Sequence, residues 1–175
     1  MFKDIVEQSE KKYLGFGITI PWENNIEIQF DFWKRNLENG KIEALKEFCH
    51  AEEVYGLFCY RCNCDRKTFS YHIVCENKQN KKDKQYEELT LYASDFARFV
   101  HTYEDRKQIY TQYTALCDEI WGKWLPNSDY VSLIELETNG CIEGYASIER
   151  YQCNNPTFTP NEFEIWIPVS KIQQL

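Results

Sequence analysis

Glu162-Phe163-Glu164-Ile165-Trp166-Ile167-Pro168-Val169 alternates between two kinds of side chain. Successive strand residues point to opposite faces, so Glu162, Glu164 and Trp166 share one face and Phe163, Ile165, Ile167 and Val169 line the other. The stretch is dominated by β-branched and aromatic residues and reads as a strand. Ala146-Ser147-Ile148-Glu149-Arg150-Tyr151 reads the same way and puts Glu149 and Tyr151 on one face. A carboxylate beside an aromatic ring suits an organic cation, because the ring face attracts positive charge and the carboxylate neutralises it. The competing reading is the solvated face of an ordinary antiparallel sheet.

The rest of the chain supplies partners for these strands. Residues 13–20 alternate large and small side chains and read as a strand, punctuated by Pro21 and Asn24-Asn25. Ile26, Phe30, Trp33 and Leu37 fall at helical spacing, Gly40 gives a stop signal, and a shorter helix is expected over 41–48. Residues 54–60 and 68–75 read as a hairpin around a polar turn at 63–67, before a lysine-rich loop. The second half repeats the order. A strand over 86–99 precedes a helix over 105–124, with Ile109, Tyr113, Leu116, Ile120 and Trp124 on its apolar stripe. Glu104 or Asp105 is the expected cap and Pro126-Asn127 the end, followed by strands at 130–136, 145–151 and 162–169. The expected fold is α+β, with one strand–helix–strand pattern duplicated over about 1–80 and 85–175. Antiparallel sheets carry two main helices, and the crevice between the halves is the central ligand pocket.

The 175 residues suit one domain over 1–175. Twelve Tyr, eleven Phe and five Trp suit both a core and a pocket for flat, greasy molecules. The net charge of −8 disfavours direct nucleic-acid binding and favours cationic ligands. The densest basic stretch holds Lys78, Lys81, Lys82 and Lys84 but no aromatic residue to stack on bases. No segment approaches the ~20 apolar residues of a membrane helix, and no signal-peptide run opens the chain, so a cytoplasmic address without membrane contact is expected. Cys59, Cys62, Cys64 and Cys75 have near-metal spacing but lack a second close pair or a Cys/His set. Reduced thiols are therefore expected, with no metal and no cofactor.

Several motifs then fall in a specific order. They are an early strand ending in a polar loop; Phe32-Trp33; Val54-Tyr55-Gly56-Leu57-Phe58-Cys59-Tyr60 followed by Phe69-Ser70-Tyr71; Trp121-Gly122-Lys123-Trp124-Leu125-Pro126 with Ser128 and Tyr130; Ile148-Glu149-Arg150-Tyr151; and Glu164-Ile165-Trp166-Ile167-Pro168-Val169. In this order the chain resembles the GyrI-like small-molecule-binding family, the effector-binding domain of AraC- and MerR-type transcription regulators. Residues 136–144, with Cys141, depart from the family pattern. The chain shows no helix-turn-helix or other DNA-binding segment, so it resembles the stand-alone members.

The resemblance implies duplicated β-α-β-β units with pseudo-twofold symmetry, facing each other around a central pocket for hydrophobic, often cationic, drug-like molecules, with an acidic residue in an aromatic cage. Glu149 matches the acidic position before the final loop, and Glu164 and Trp166 match the acidic and aromatic positions on the last strand. With Tyr151, Trp33, Phe58 and Tyr71 as ring faces, these are the expected ligand-binding residues. The leading function is sensing or sequestration of amphipathic or cationic small molecules. The resemblance also implies two alternatives: hydrolysis of cyclopropane-bearing toxic natural products with a pocket glutamate as general base, and inhibition of DNA gyrase. A transcription regulator or gyrase is thus an open protein partner. His50, His72 and His101 are dispersed, and no Ser/His/Asp or Cys/His pattern assigns a catalytic residue. An exposed final strand would allow a homodimer.

Overall fold

The alternation over 162–169 builds a strand at the middle of the sheet. In the computed structural model, which describes residues 1–59, 67–135 and 143–172, the elements run β1 (Phe2–Gln8), β2 (Lys11–Pro21), α1 (Asn25–Glu38), α2 (Lys41–Cys49), β3 (Tyr55–Cys59), β4 (Thr68–Glu76), β5 (Glu87–Leu91), β6 (Ser94–Tyr103), α3 (Ile109–Glu119), β7 (Tyr130–Ser132), β8 (Glu143–Gly144), β9 (Ser147–Tyr151) and β10 (Asn161–Lys171). Among the described residues these ten strands form one sheet in the order β1-β6-β10-β9-β3-β4-β2-β5-β8, with β7 also on β10. All pairings are antiparallel except β5 with β8.

The order is palindromic about its centre. β9 matches β3, β10 matches β4, β6 matches β2, and β1 matches β5. This is the duplicated α+β arrangement expected from the repeated element order, with the pseudo-twofold symmetry that the resemblance implies. The two sheets are continuous, because β3 and β9 pair directly through Gly56–Glu149, Leu57–Ile148 and Phe58–Ser147. β10 is paired on both sides, by β6 and β9, so the final strand is not exposed and cannot join a second copy edge to edge; β1 and β8 end the sheet.

Alternation sorts the side chains into two layers. One face carries Phe16, Phe58, Tyr71, Ile73, Phe99, Tyr151, Phe163, Ile165 and Ile167, packed against Phe30, Trp33, Leu45, Tyr113 and Leu116 from the helices. The other carries a cluster from strands alone: Tyr13, Leu57, Cys59, Val74, Leu89, Leu91, Phe96 and Ile148, with Ala146. The helices therefore cover one face, their apolar stripes meeting that of the strands.

Three expectations change in detail. Residues 86–99 form two strands, because the chain must cross from β5, which pairs with β2, to β6, which pairs with β10 and β1. The helix over 105–124 is a shorter α-helix, with a 3-10 turn (Arg106–Gln108) before it and a π-helical turn (Ile120–Trp124) after it. Asp105 is the cap, its side chain accepting the Lys107 N–H at 2.9 Å. The strand at 130–136 stops at Ser132, where a 3-10 turn (Leu133–Glu135) begins. Residues 63–66 of the polar turn, with Cys62, Cys64 and Cys141, lie outside the described residues. Among the described residues no helix is long and apolar enough to cross a membrane, and no group of His, Cys, Asp and Glu side chains is arranged to hold a metal ion.

Candidate functional site

The palindrome centres on β3 and β9, and Glu149 sits there. It lies opposite Gly56 on one side and Ile165 on the other, pointing toward the helices. Gly56 is required by close approach. A Cβ on it would stand 2.1 Å from the Tyr71 hydroxyl and 2.9 Å from Glu149 Oε2. The missing side chain makes the space in which phenol and carboxylate meet.

Glu149 is 1% exposed, and neutral donors hold it. Its Oε2 accepts from Gln29 Nε2 at 2.7 Å, from the Tyr71 hydroxyl at 2.7 Å and from the Tyr151 hydroxyl at 3.0 Å. Its Oε1 accepts from the Tyr113 hydroxyl. The Trp33 indole N–H donates to the Tyr71 hydroxyl at 2.7 Å, so the tryptophan orients a phenol that orients the acid. No lysine or arginine among the described residues forms an ion pair with Glu149.

The rings around this network touch one another. Trp33 meets Tyr151 edge-on at 5.5 Å, Tyr151 and Tyr113 each stack on Phe163 at 6.0 and 6.1 Å, and Phe58 meets Tyr71 edge-on at 5.2 Å. Phe30 contacts Tyr113 and Tyr151 on its inner side and the half-exposed Tyr110 on its outer side. Beyond it, Tyr110 lines a surface depression of ≈ 330 Å³ with Asn24, Asn25, Ile26 and Glu27.

Burial pushes the Glu149 carboxyl above the usual carboxylate range, while the hydrogen bonds from Tyr113, Tyr71, Tyr151 and Gln29 pull it back down. Tyr71, Tyr113 and Tyr151 are held well above the ordinary phenol value, first by burial and then by the Glu149 charge. They stay neutral donors at any physiological pH. Cys117 is pushed up to about 12 by burial and then by the same charge. The site is thus a buried carboxyl group held by neutral donors and ringed by π faces.

The structure brings Glu149, Tyr151, Tyr71, Trp33 and Phe58 together, but not Glu164 and Trp166. Those two lie on the other face of the sheet, because they are one residue out of phase with Phe163 and Ile165. Glu164 accepts the Trp166 indole N–H at 2.6 Å, with Arg98 and Arg150 nitrogens at 4.0 and 3.9 Å from its oxygens. Arg98 also lies over the Trp166 ring at 5.5 Å. This second carboxylate already has cations beside it and leaves no unanswered charge.

Sequence reasoning missed Gln29, Tyr113, Phe30 and Gly56. Gln29 and Tyr113 sit on the buried stripes of their helices, next to Phe30 and near Leu116. A buried amide or phenol at such a position must find a polar partner, and that was the readable signal.

The family described as integron-associated effector binding protein matches residues 4–169. No curated protein matches the sequence. Among solved structures, SAV2435 bound to tetraphenylphosphonium has a TM-score of 0.70 at 17% identity, over 99% of this chain and 96% of that one. An integron cassette protein from the mobile metagenome of Vibrio cholerae has a TM-score of 0.57 at 14% identity, over 97% of each chain. The C-terminal domain of EcmrR has a TM-score of 0.54 at 12% identity, over 98% of this chain and 99% of that one. At these identities the likeness is one of fold.

Proposed function

Because the chain belongs to the family of integron-associated effector binding proteins, we propose that it binds hydrophobic organic cations, with Glu149 as the counter-charge. The observation that carries this reading is a buried carboxylate held by neutral donors, with no cationic partner among the described residues. Removing a carboxylate from water costs several kcal/mol, and its hydrogen bonds return only part of that. A cation placed against it supplies the missing Coulomb attraction, and each desolvated ring face adds about 2 kcal/mol. Tyr71, Tyr113, Tyr151 and Trp33 would provide those faces. Few directional hydrogen bonds to the ligand would be needed, so shape tolerance is broad. Entry would run between α1 and α3, with Phe30 turning out of the way toward the depression beside Tyr110.

SAV2435, which shares the fold, was solved with a lipophilic cation, and this supports the choice of ligand class. The role is sensing or sequestration of such molecules, in the manner of an effector-binding domain.

The test is thermal unfolding with a charge-matched panel. Tetraphenylphosphonium is expected to raise the melting temperature by several degrees, and tetraphenylborate, of the same shape and opposite charge, to leave it unchanged. The shift should also depend on pH. Burial raises the Glu149 pKa, so the native state holds this proton to higher pH than the unfolded chain. Stability from this group is therefore present at low pH and lost as pH rises through the raised pKa. A cation needs the ionised form and offsets that loss, so its stabilising effect should grow with pH across the same window. Equal shifts from cation and anion, or a larger shift at acid pH, would contradict the proposal.

A further inference from the structure

On the opposite face of the sheet the fold assembles a group that the dispersed sequence positions concealed. Cys59 on β3, His72 on β4 and Glu87 on β5 lie in a row. His72 Nε2 is 2.8 Å from Glu87 Oε2, and His72 Nδ1 is 3.9 Å from Cys59 Sγ. The carboxylate can only accept, so Nε2 carries the proton and the Nδ1 lone pair faces the thiol. The ring has a made place. A Cβ on Gly17 of β2 would stand 2.4 Å from its Cδ2 and 2.5 Å from its Nε2, so the missing side chain is where the imidazole lies. Cys59 and His72 are each 3% exposed, whereas Glu87 reaches in from the surface with its side chain 58% exposed.

We propose that Cys59 is a reactive thiol, activated by His72 and modified by electron-poor alkenes such as α,β-unsaturated carbonyl compounds. A thiol is nucleophilic only as its thiolate, and an ordinary one, with a pKa of about 8.5, is about 0.3% ionised at pH 6. A base within reach of the sulfur, itself oriented by a carboxylate, raises that fraction. In the reaction the Cys59 proton passes to His72 Nδ1, and the sulfur forms a C–S bond to the β-carbon of the alkene. The π pair moves to the α-carbon as an enolate, and the proton on Nδ1 returns to that carbon. Nothing leaves and nothing is oxidised. Reaction requires local opening around the buried thiol, and the described members of its cluster come from strands and a loop, with no helix among them to unpack. Glu87 acts through His72 and is a positioning residue.

Other titratable side chains share this face: Lys11 and Tyr13 on β2, Tyr55 on β3, Glu76 on β4 and Arg150 on β9. Lys11 is paired with Glu76, Tyr55 with Glu53, and Arg150 with Glu53. Burial holds Tyr13 well above the phenol range. Glu87 is the group in hydrogen-bond contact with the imidazole.

The experiment is timed labelling of the intact protein with N-ethylmaleimide between pH 5.5 and 9, read by peptide-resolved mass spectrometry. The exposed thiol of Cys153 serves as internal reference. At pH 6 Cys59 is expected to label at least ~10-fold faster than Cys153, on a pH profile shifted below that of an ordinary thiol. His72→Gln should abolish the advantage and return the profile to the ordinary position, with Cys153 unchanged. Should that variant fail to fold, Glu87→Gln decides: its exposed position tolerates the change, and it should slow Cys59 several-fold. No labelling of Cys59 in the native protein overturns the proposal, and so does labelling at an equal rate in wild type and both folded variants.

Discussion

Glu149→Gln is expected to weaken tetraphenylphosphonium binding by at least ~30-fold, about 2 kcal/mol, without destabilising the unliganded protein. Glutamine keeps the shape of the side chain and one acceptor oxygen for the phenols of Tyr71 and Tyr151, and it removes the charge. The wild-type carboxyl is pushed up by burial, so above that raised pKa the ionised group costs stability. Above that pKa the variant should therefore unfold at the wild-type temperature or higher, and calorimetric titration should show the loss of affinity. Glu164→Gln is the control. Glu164 already stands beside Arg98 and Arg150 on the far face, so its loss should change cation affinity by less than about threefold. Full binding by the Glu149 variant would remove the charge from the account.

The second large effect is expected from Gly56→Ala. The added methyl would fall 2.1 Å from the Tyr71 hydroxyl and 2.9 Å from Glu149 Oε2, and Tyr71 is fully buried. Overpacking of this kind costs about 1–3 kcal/mol, which for a chain of this size is roughly 2–12 °C in melting temperature. The strain is aimed at the phenol that bridges Trp33 to the acid, so cation affinity should fall together with stability. A Gly40→Ala control separates the two effects: nothing lies within 4 Å of its Cβ position, but its φ of +73° disfavours alanine. It should lower stability modestly and leave affinity unchanged. A Gly56→Ala protein with wild-type stability and affinity would show that the close approach at the centre of the sheet is not needed.

The sequence made the fold legible where one period ran long enough. Alternation over 162–169 and 146–151 set both the strand assignment and the facing of their side chains, and β9 and β10 follow it. The repeated element order announced the duplication, and the resemblance its pseudo-twofold form. What the pattern could not carry was the partner of each strand. The central place of β10, the crossing between β5 and β6, and the pairing of β1 with β6 depend on contacts between residues far apart in sequence, such as Asp4 with Arg98. β1 itself was not read as a strand, because its side chains are mostly polar and half-exposed on an edge.

The site was half legible for a related reason. Glu149 and Tyr151 were visible as an acid and a ring on one strand face. Glu164 and Trp166 carry the same local signal, yet the sheet has two faces and only a register can say which one meets the helices. The donors Gln29 and Tyr113 come from α1 and α3, and only helix docking brings them to β9. His72 reads as one of three dispersed histidines and Cys59 as a reduced thiol, although β3 and β4 are adjacent and both residues face the same way.

A crystal structure of the complex with tetraphenylphosphonium tests the central claim most directly. The account predicts the phosphonium centre on the helix side of the sheet, within about 6 Å of the Tyr71, Tyr113 or Tyr151 rings, facing the Glu149 carboxylate, with Phe30 turned outward. A cation bound instead on the far face beside Trp166 and Glu164, with the Glu149 network unchanged, would contradict it.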